Sequence, residues 1–320
     1  MSVSELYRGV WADMLQKENR FYGGVDAGGT TFKCGVFDDR WRLVESKRVP
    51  VTHPEKTIAA CIEFFRKIVA RKKGTLLSLG IASFGPLNLD KSSASYGSLQ
   101  ITPKPGWSGQ PMKRLFESQL KVDVEIDTDV NGALLGEQTF GAARDCNSSA
   151  YITVGTGIGA GVFANGGLIG RPSHPEFGHI AVRRRTEDEN FVSECPFHSD
   201  CLEGLASARA FERRYGVARK LSDSHPGWQL EADYLAQACR SLYLSFRPDR
   251  IILGGGLMQA KGLLEKVRQE LNIQMDGYAG VSEDLVRELV TLPGLGDQAG
   301  VTGAALLGAE RLEKEKPAIS

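Results

Sequence analysis

Phe21-Tyr-Gly-Gly-Val-Asp-Ala-Gly-Gly-Thr-Thr-Phe-Lys-Cys-Gly-Val-Phe37 carries the pattern that decides the fold. Phe21 to Val25 reads as a strand, Asp26-Ala-Gly-Gly-Thr-Thr31 as a glycine turn, and Phe32 to Phe37 as a second strand. Asp38-Asp39 then turns the chain into a third strand, Trp41 to Val49. The pattern returns at Tyr151 to Val154, followed by the tight turn Gly155-Thr-Gly-Ile-Gly159 and the strand Gly161 to Phe163. Asn165-Gly166 is a hairpin turn, and Leu168-Ile169 opens another third strand. Tyr22/Val25 and Tyr151/Val154 match at one offset, and Val36-Phe37 and Val162-Phe163 match at an offset three residues shorter. One three-stranded unit is therefore repeated, once per half of the chain.

The remaining pattern fits an α/β protein. Apolar periodicity predicts a helix over Thr57 to Lys73. Leu76 to Ser83 and Val122 to Ile126 read as buried strands, the second leading through Asp127-Thr-Asp129-Val-Asn131 into a helix that ends near Gln138. Helices are expected at about 202–215, 229–246 and 259–271, with a last one from Gly300 to about Glu313. Arg250 to Leu253 is a strand entering Gly254-Gly255-Gly256. Residues 1–20 read as a short lead-in, helical in part.

Composition narrows the partners. A chain of 320 residues, 42% hydrophobic and 24% charged, should form about two domains with a substantial core. Thirty-nine Lys and Arg balance thirty-nine Asp and Glu, which argues against nucleic-acid binding. The longest uncharged run, Cys146 to Gly170, holds seven glycines and is too polar for a membrane span. The first twenty residues lack the apolar core of a signal peptide. Six scattered cysteines point to a reducing cytoplasm rather than a disulfide scaffold.

A glycine turn between two strands can bring several main-chain N–H groups around one anionic oxygen, because no side chain blocks the approach. Two such turns, Gly28-Gly29-Thr30-Thr31 and Gly155-Thr156-Gly157 with Gly159, facing each other would clasp a polyphosphate. Asp26 at the tip of the first strand could hold Mg²⁺ through water. Gly254, Gly255 and Gly256 would let a base and ribose lie against the backbone. No P-loop is present. Gly155-x-Gly157-x-x-Ala160, with Glu176 beyond it, loosely fits a dinucleotide fingerprint, but it continues as a strand rather than opening a helix. Two further groups stay open on the residues alone. Asp127 and Asp129 are equally a base site and helix-capping residues. Cys195-x-x-His198-x-x-Cys201 with His179 is equally a four-ligand zinc site and free thiols near histidines.

Asp26-Ala-Gly-Gly-Thr, Val154-Gly-Thr-Gly-Ile-Gly, Glu176-Phe-Gly-His179 and Leu253-Gly-Gly-Gly-Leu257 together resemble the ROK sugar kinases of the actin-like ATPase superfamily. Thr102-Pro-Lys-Pro-Gly-Trp107, His174-Pro-Glu-Phe-Gly-His179 and Cys195-Pro-Phe-His-Ser-Asp-Cys-Leu-Glu-Gly204 are similar to the bacterial fructokinase branch. The resemblance spans about residues 21–310. It implies two ribonuclease-H-like lobes around a central cleft: residues 1–126 plus 300–320, and 127–299. It also implies transfer of phosphate from ATP to a hexose, first D-fructose giving fructose 6-phosphate, with mannokinase, glucokinase, an N-acylated hexosamine kinase or an inactive sugar-binding relative as alternatives. Asp129 is then the base, Asn131, Glu176, His179 and Glu203 belong to the sugar site, and Lys33 joins the glycines on the nucleotide. His179, Cys195, His198 and Cys201 become ligands of a structural zinc, and Asp297-Gln-Ala-Gly300 lies near the nucleotide. A homodimer is expected. A sugar-sensing repressor of the same family would need a DNA-binding segment of about sixty residues ahead of the first strand, where about twenty stand. Departures from the family pattern are Thr31 in place of lysine, Ser199 in place of glycine, and Ala208-Arg209 in place of Gly-Pro.

Overall fold

The computed structural model describes residues 19–102, 104–170 and 173–314. Most of the expected lead-in, residues 1–18, lies outside them. The first half opens with β1 (Asn19–Ala27), β2 (Thr31–Phe37) and β3 (Leu43–Pro50), followed by α1 (Pro54–Lys72), β4 (Gly74–Ser83), α2 (Met112–Leu120) and β5 (Asp123–Thr128). Helix α3 (Asp129–Phe140) leads to β6 (Ser149–Val154), β7 (Ile158–Ala164) and β8 (Gly167–Leu168). Then come α4 (Leu202–Ala206), α5 (Ala208–Tyr215), α6 (Gly227–Phe246), β9 (Arg250–Gly254), α7 (Leu263–Met275), α8 (Glu283–Leu289), β10 (Val290–Thr291) and α9 (Ala299–Lys314).

The repeat is larger than the sequence pattern indicates. One sheet runs β3-β2-β1-β4-β5 and the other β8-β7-β6-β9-β10. In both, the first three strands are antiparallel and the last two join in parallel. The register moves one of the two sequence matches: with Val36 set on Val162, Gly23 answers to Ala150 and Tyr22 to Ser149, two residues before the Tyr151 that the sequence pattern pairs with it. The parallel strands β4 and β9 are largely apolar runs, as burial on both faces requires, whereas the edge strand β5 alternates Val124 and Ile126 with acidic residues.

Helices α3 and α9 pack against each other. Helix α9 also covers β1 and β4, and α3 reaches β6 and β7. The helices approach at bare backbone: a Cβ on Gly303 would stand 1.6 Å from the Gly132 carbonyl oxygen. Separate apolar cores fill the two halves, one around Phe65, Leu79, Trp107 and Phe116, the other around Phe211, Trp228, Tyr234 and Leu253. Among the described residues no helix is long and apolar enough to cross a membrane.

Two expected helices change. The stretch 202–215 breaks at Ser207, whose extended backbone ends α4 and whose Oγ caps α5 by accepting from the Ala210 N–H. The helix expected at 259–271 begins at Leu263, after Gly262 at φ 80°.

Candidate active site

A cavity of about 420 Å³ lies where the two halves meet, with Asp26, Asp129, Thr153, Gly254, Gly255, Gly256 and Gly300 in its lining. Strand β1 delivers Asp26 at its end, and Asp129 opens α3. Thr128 caps that helix through Oγ1, which accepts from the Asn131 N–H at 3.2 Å, so the cap falls on Thr128 rather than on either aspartate. Asp129 Oδ1 accepts from the Val130 N–H at 2.9 Å. Burial pushes the Asp129 carboxyl up to about 6, against that bond and the charge of His174. Burial and then the negative charge of Asp129 push Asp26 up to about 7, with Lys33 and Arg48 pulling the other way. Two carboxyls thus sense each other in one partly buried gap.

Asn131 has no exposed surface, and its Nδ2 donates to Asp127 Oδ1 at 2.7 Å. The family resemblance assigns it to the sugar site and also to holding this segment, and its bond to Asp127 braces the start of α3. Lys33, expected on the nucleotide, is also buried and committed: Nζ donates to Asp297 Oδ2 at 2.6 Å and to the Asp297 carbonyl. Arg48 donates to the same Asp297 carboxylate. Burial opposes ionisation there, but the two cations hold Asp297 below the usual carboxylate range.

The glycine turns differ in their supports. Gly28 N–H donates to Thr31 C=O at 3.1 Å, leaving Gly29 and Thr30 at the tip. In the second turn Gly155 N–H donates to Gly157 C=O at 3.0 Å, and the Gly155 carbonyl accepts from the Ala208 N–H at 2.8 Å. Alanine makes that bond as glycine would, so this departure from the family pattern leaves the contact in place. Glu203 Oε2 accepts from the Ile158 N–H at 2.8 Å, tying α4 to the turn. The stems of both turns line the cavity, through Asp26 and Thr153, but the tips do not. Neither do Glu176, His179 and Glu203. Gly255, at φ 93°, lies so close to β6 that a Cβ would meet the Val154 backbone at 2.4 Å. Leu253, Met258, Leu292 and Pro293 add apolar walls beside it.

Glu176 is exposed, 3.4 Å from His174 Nδ1. His179 turns Nδ1 toward two thiols, Cys195 Sγ at 3.7 Å and Cys201 Sγ at 3.6 Å. His198 Nδ1 is 3.6 Å from Cys195 Sγ, and the four donor atoms lie within 4.8 Å of one another. A tetrahedron with Zn–S near 2.3 Å and Zn–N near 2.0–2.1 Å has S···N edges of about 3.5 Å. The donor set fits that metal in both chemistry and spacing.

Sequence reasoning missed several residues here. His174 and Lys104 stood inside quoted motifs. Tyr151 was legible only as a strand residue of the repeat, and Arg48, Leu292 and Pro293 carried no local signal, being an exposed strand residue and a short apolar loop.

The ROK family model matches residues 22–311. The chain belongs to the ROK family. It is 39% identical over 298 residues to a fructokinase of Zymomonas mobilis, covering 92% of this chain and 98% of that protein. It is 35% identical over 300 residues to a fructokinase of Streptococcus mutans, covering 93% and 98%. Among solved structures, the ROK hexokinase of Thermus thermophilus superposes with a TM-score of 0.75 at 26% identity, over 92% of this chain and 99% of that one. The paired five-stranded sheets with a cleft between them are the actin-like ATPase fold.

Proposed function

We propose that this ROK chain is an ATP-dependent hexose kinase acting first on D-fructose and releasing D-fructose 6-phosphate and ADP. The observation that carries the reading is the Asp129 carboxyl, raised to about 6 at the head of α3 in the cavity it shares with Asp26 and the glycine cluster. A base of that strength is largely ionised at neutral pH yet still able to take a proton. The hydroxyl proton of the sugar passes to Asp129 as the new O–P bond forms. The bond to the bridging oxygen breaks, and its electron pair stays on ADP. Such a transfer depends mostly on positioning and charge neutralisation. The fructokinase names of the relatives support the choice of sugar.

Two metals belong to the same reading. Asp26 would hold Mg²⁺ through water: a buried carboxyl raised by a neighbouring carboxylate, with Lys33 and Arg48 committed to Asp297, is a hard-oxygen site short of positive charge. When bound, the ion supplies neutralisation of phosphate charge. Zn²⁺ would be held by His179, Cys195, His198 and Cys201 and supplies a structural cross-link. With Nδ1 facing the thiols, His179 keeps Nε2 for a sugar hydroxyl. Glu176 and Glu203 are the other sugar contacts in this reading, and Gly254 to Gly256 take the adenosine. The lobes divide as 1–126 plus 300–320 and 127–299, in line with the packing of α9 on β1 and β4. A cytoplasmic homodimer without a nucleic-acid partner completes the proposal, on the family resemblance, the cysteine usage and the balanced charge.

A coupled ADP-release assay over fructose, mannose, glucose and N-acetylated hexosamines, with and without Mg²⁺, tests it. Fructose-dependent, Mg²⁺-dependent ADP release is expected. Faster turnover of another hexose would move the substrate, and no release with any sugar would leave only the inactive-relative reading.

A further inference from the structure

The loop between β4 and α2 carries Thr102-Pro-Lys-Pro-Gly-Trp107, to which the proposed mechanism gives no role. Trp107 anchors it. The side chain is 1% exposed, packs on Phe32 and Phe84, and donates Nε1–H to the Thr52 carbonyl at 3.0 Å. Ser108 Oγ closes the loop by accepting from the Thr102 N–H at 3.0 Å and donating to the Thr102 carbonyl at 3.0 Å. The anchored loop lays Lys104 along the tip of the first glycine turn. A Cβ at Gly29 would stand 3.6 Å from Lys104 Cε and 3.7 Å from Nζ.

Lys104 differs from the other cations near the cleft. Lys33 and Arg48 are both spent on Asp297. No carboxylate pairs with Lys104 among the described residues. Its contact is the face of Phe84, 5.2 Å from Nζ to the ring centroid, and burial alone pushes its ammonium below the ordinary lysine value. A partly buried cation without an anion is unfavourable, and one aromatic face offsets little of that. An anion arriving at the Gly29-Thr30 tip would complete the site, with turn N–H groups on one side and an ammonium on the other.

We propose that Lys104 is the cation that meets the transferring phosphoryl group at the first glycine turn. This rests on the kinase reading above. Position 31, where the family pattern often has a lysine, is a threonine, and Lys33 is paired with Asp297. Lys104, from a different loop, is the cation that the structure leaves beside the turn without a carboxylate partner among the described residues. It keeps its own proton throughout: the hydroxyl proton goes to Asp129 and the electron pair of the broken bond to ADP. The ammonium neutralises charge on the phosphoryl oxygens in passage.

The test compares the full-length wild type with Lys104→Met, which preserves the stem, and Lys104→Gln in parallel. Three quantities are read: steady-state kinetics with fructose and MgATP, thermal stability, and calorimetric titration with tripolyphosphate. Removing one preorganised charge-stabilising donor should lower kcat by about 10²- to 10³-fold. The fructose KM should stay within about threefold, Tm should hold, and tripolyphosphate affinity should fall about tenfold. A kcat within threefold of wild type in both variants overturns the proposal. So does a loss of kcat that comes with a fallen Tm and unchanged tripolyphosphate affinity, since Lys104 would then merely order its loop. If the wild type phosphorylates no hexose, the kinase reading falls separately. The tripolyphosphate titration then decides Lys104 alone: weaker binding in the variants upholds it, and equal binding refutes it.

Discussion

Asp129→Asn isolates one atom's work. The amide oxygen of asparagine can still accept from the Val130 N–H, and the cap on α3 belongs to Thr128, so the start of the helix should hold its shape. What is lost is the proton acceptor and its charge. General-base catalysis contributes about 10²- to 10⁴-fold, so kcat should fall by about three orders of magnitude, or roughly 4 kcal/mol of barrier. The KM for ATP should stay within about threefold. In the wild type, kcat/KM should rise tenfold per pH unit up to about 6 and then level off, because the base must be ionised. The variant should lose that acid limb. Stability should move the opposite way. A carboxyl whose folded value is raised above its unfolded one favours folding below about 4 and loses that contribution as pH rises to about 6. The rise from 3.8 to about 6 corresponds to roughly 3 kcal/mol, which partial solvent access trims to roughly 1–2 kcal/mol. The asparagine variant should therefore resist urea better than the wild type by that amount at pH 7.5, with the gap closing near pH 4. Near-normal turnover in the variant, or an unchanged acid limb, would refute the role of Asp129 as base.

Cys201→Ser should drop bound zinc, measured by metal analysis, from about one per chain to near zero. It should raise the fructose KM about tenfold or more while the ATP KM moves little, since His179 loses its fixed orientation. Glu203→Ala strips the Ile158 N–H of its acceptor and should cost about 1–3 kcal/mol in urea unfolding, whereas Glu203→Gln keeps an acceptor and should cost less. Gly303→Ala drives a methyl group into the Gly132 carbonyl, so about 3 kcal/mol of destabilisation is expected, and an unaffected unfolding midpoint would contradict the close packing of α3 on α9.

The strand–turn–strand units, α1 and the long α6 were readable because each is written within a dozen or so residues: glycine at the bend, apolar alternation or helical spacing beside it. Helix α2 escaped notice because it has nine residues, no side-chain cap and only Met112, Lys113 and Phe116 buried. Helix α8 did carry a signal, Ser282 capping Leu285, while β10, two residues long, carried none. The break at Ser207 depends on a partner outside any local window, because the Ala208 N–H leaves the helix for the Gly155 carbonyl.

By itself, the sequence determined that the molecule is a duplicated glycine-turn unit, with Asp129 at a strand–helix junction and two cysteines bracketing a histidine. Those are properties of chain conformation and residue chemistry over short spans. Only the tertiary structure decided that the duplication extends to five strands in matching order, that Lys33 is spent on Asp297, that Asn131 is buried, and that Lys104 leans on Gly29. Most of these are meetings of residues far apart in the chain, Lys33 and Asp297 by 264 positions. Burial and charge pairing at such meetings depend on what else packs there, which no local pattern encodes.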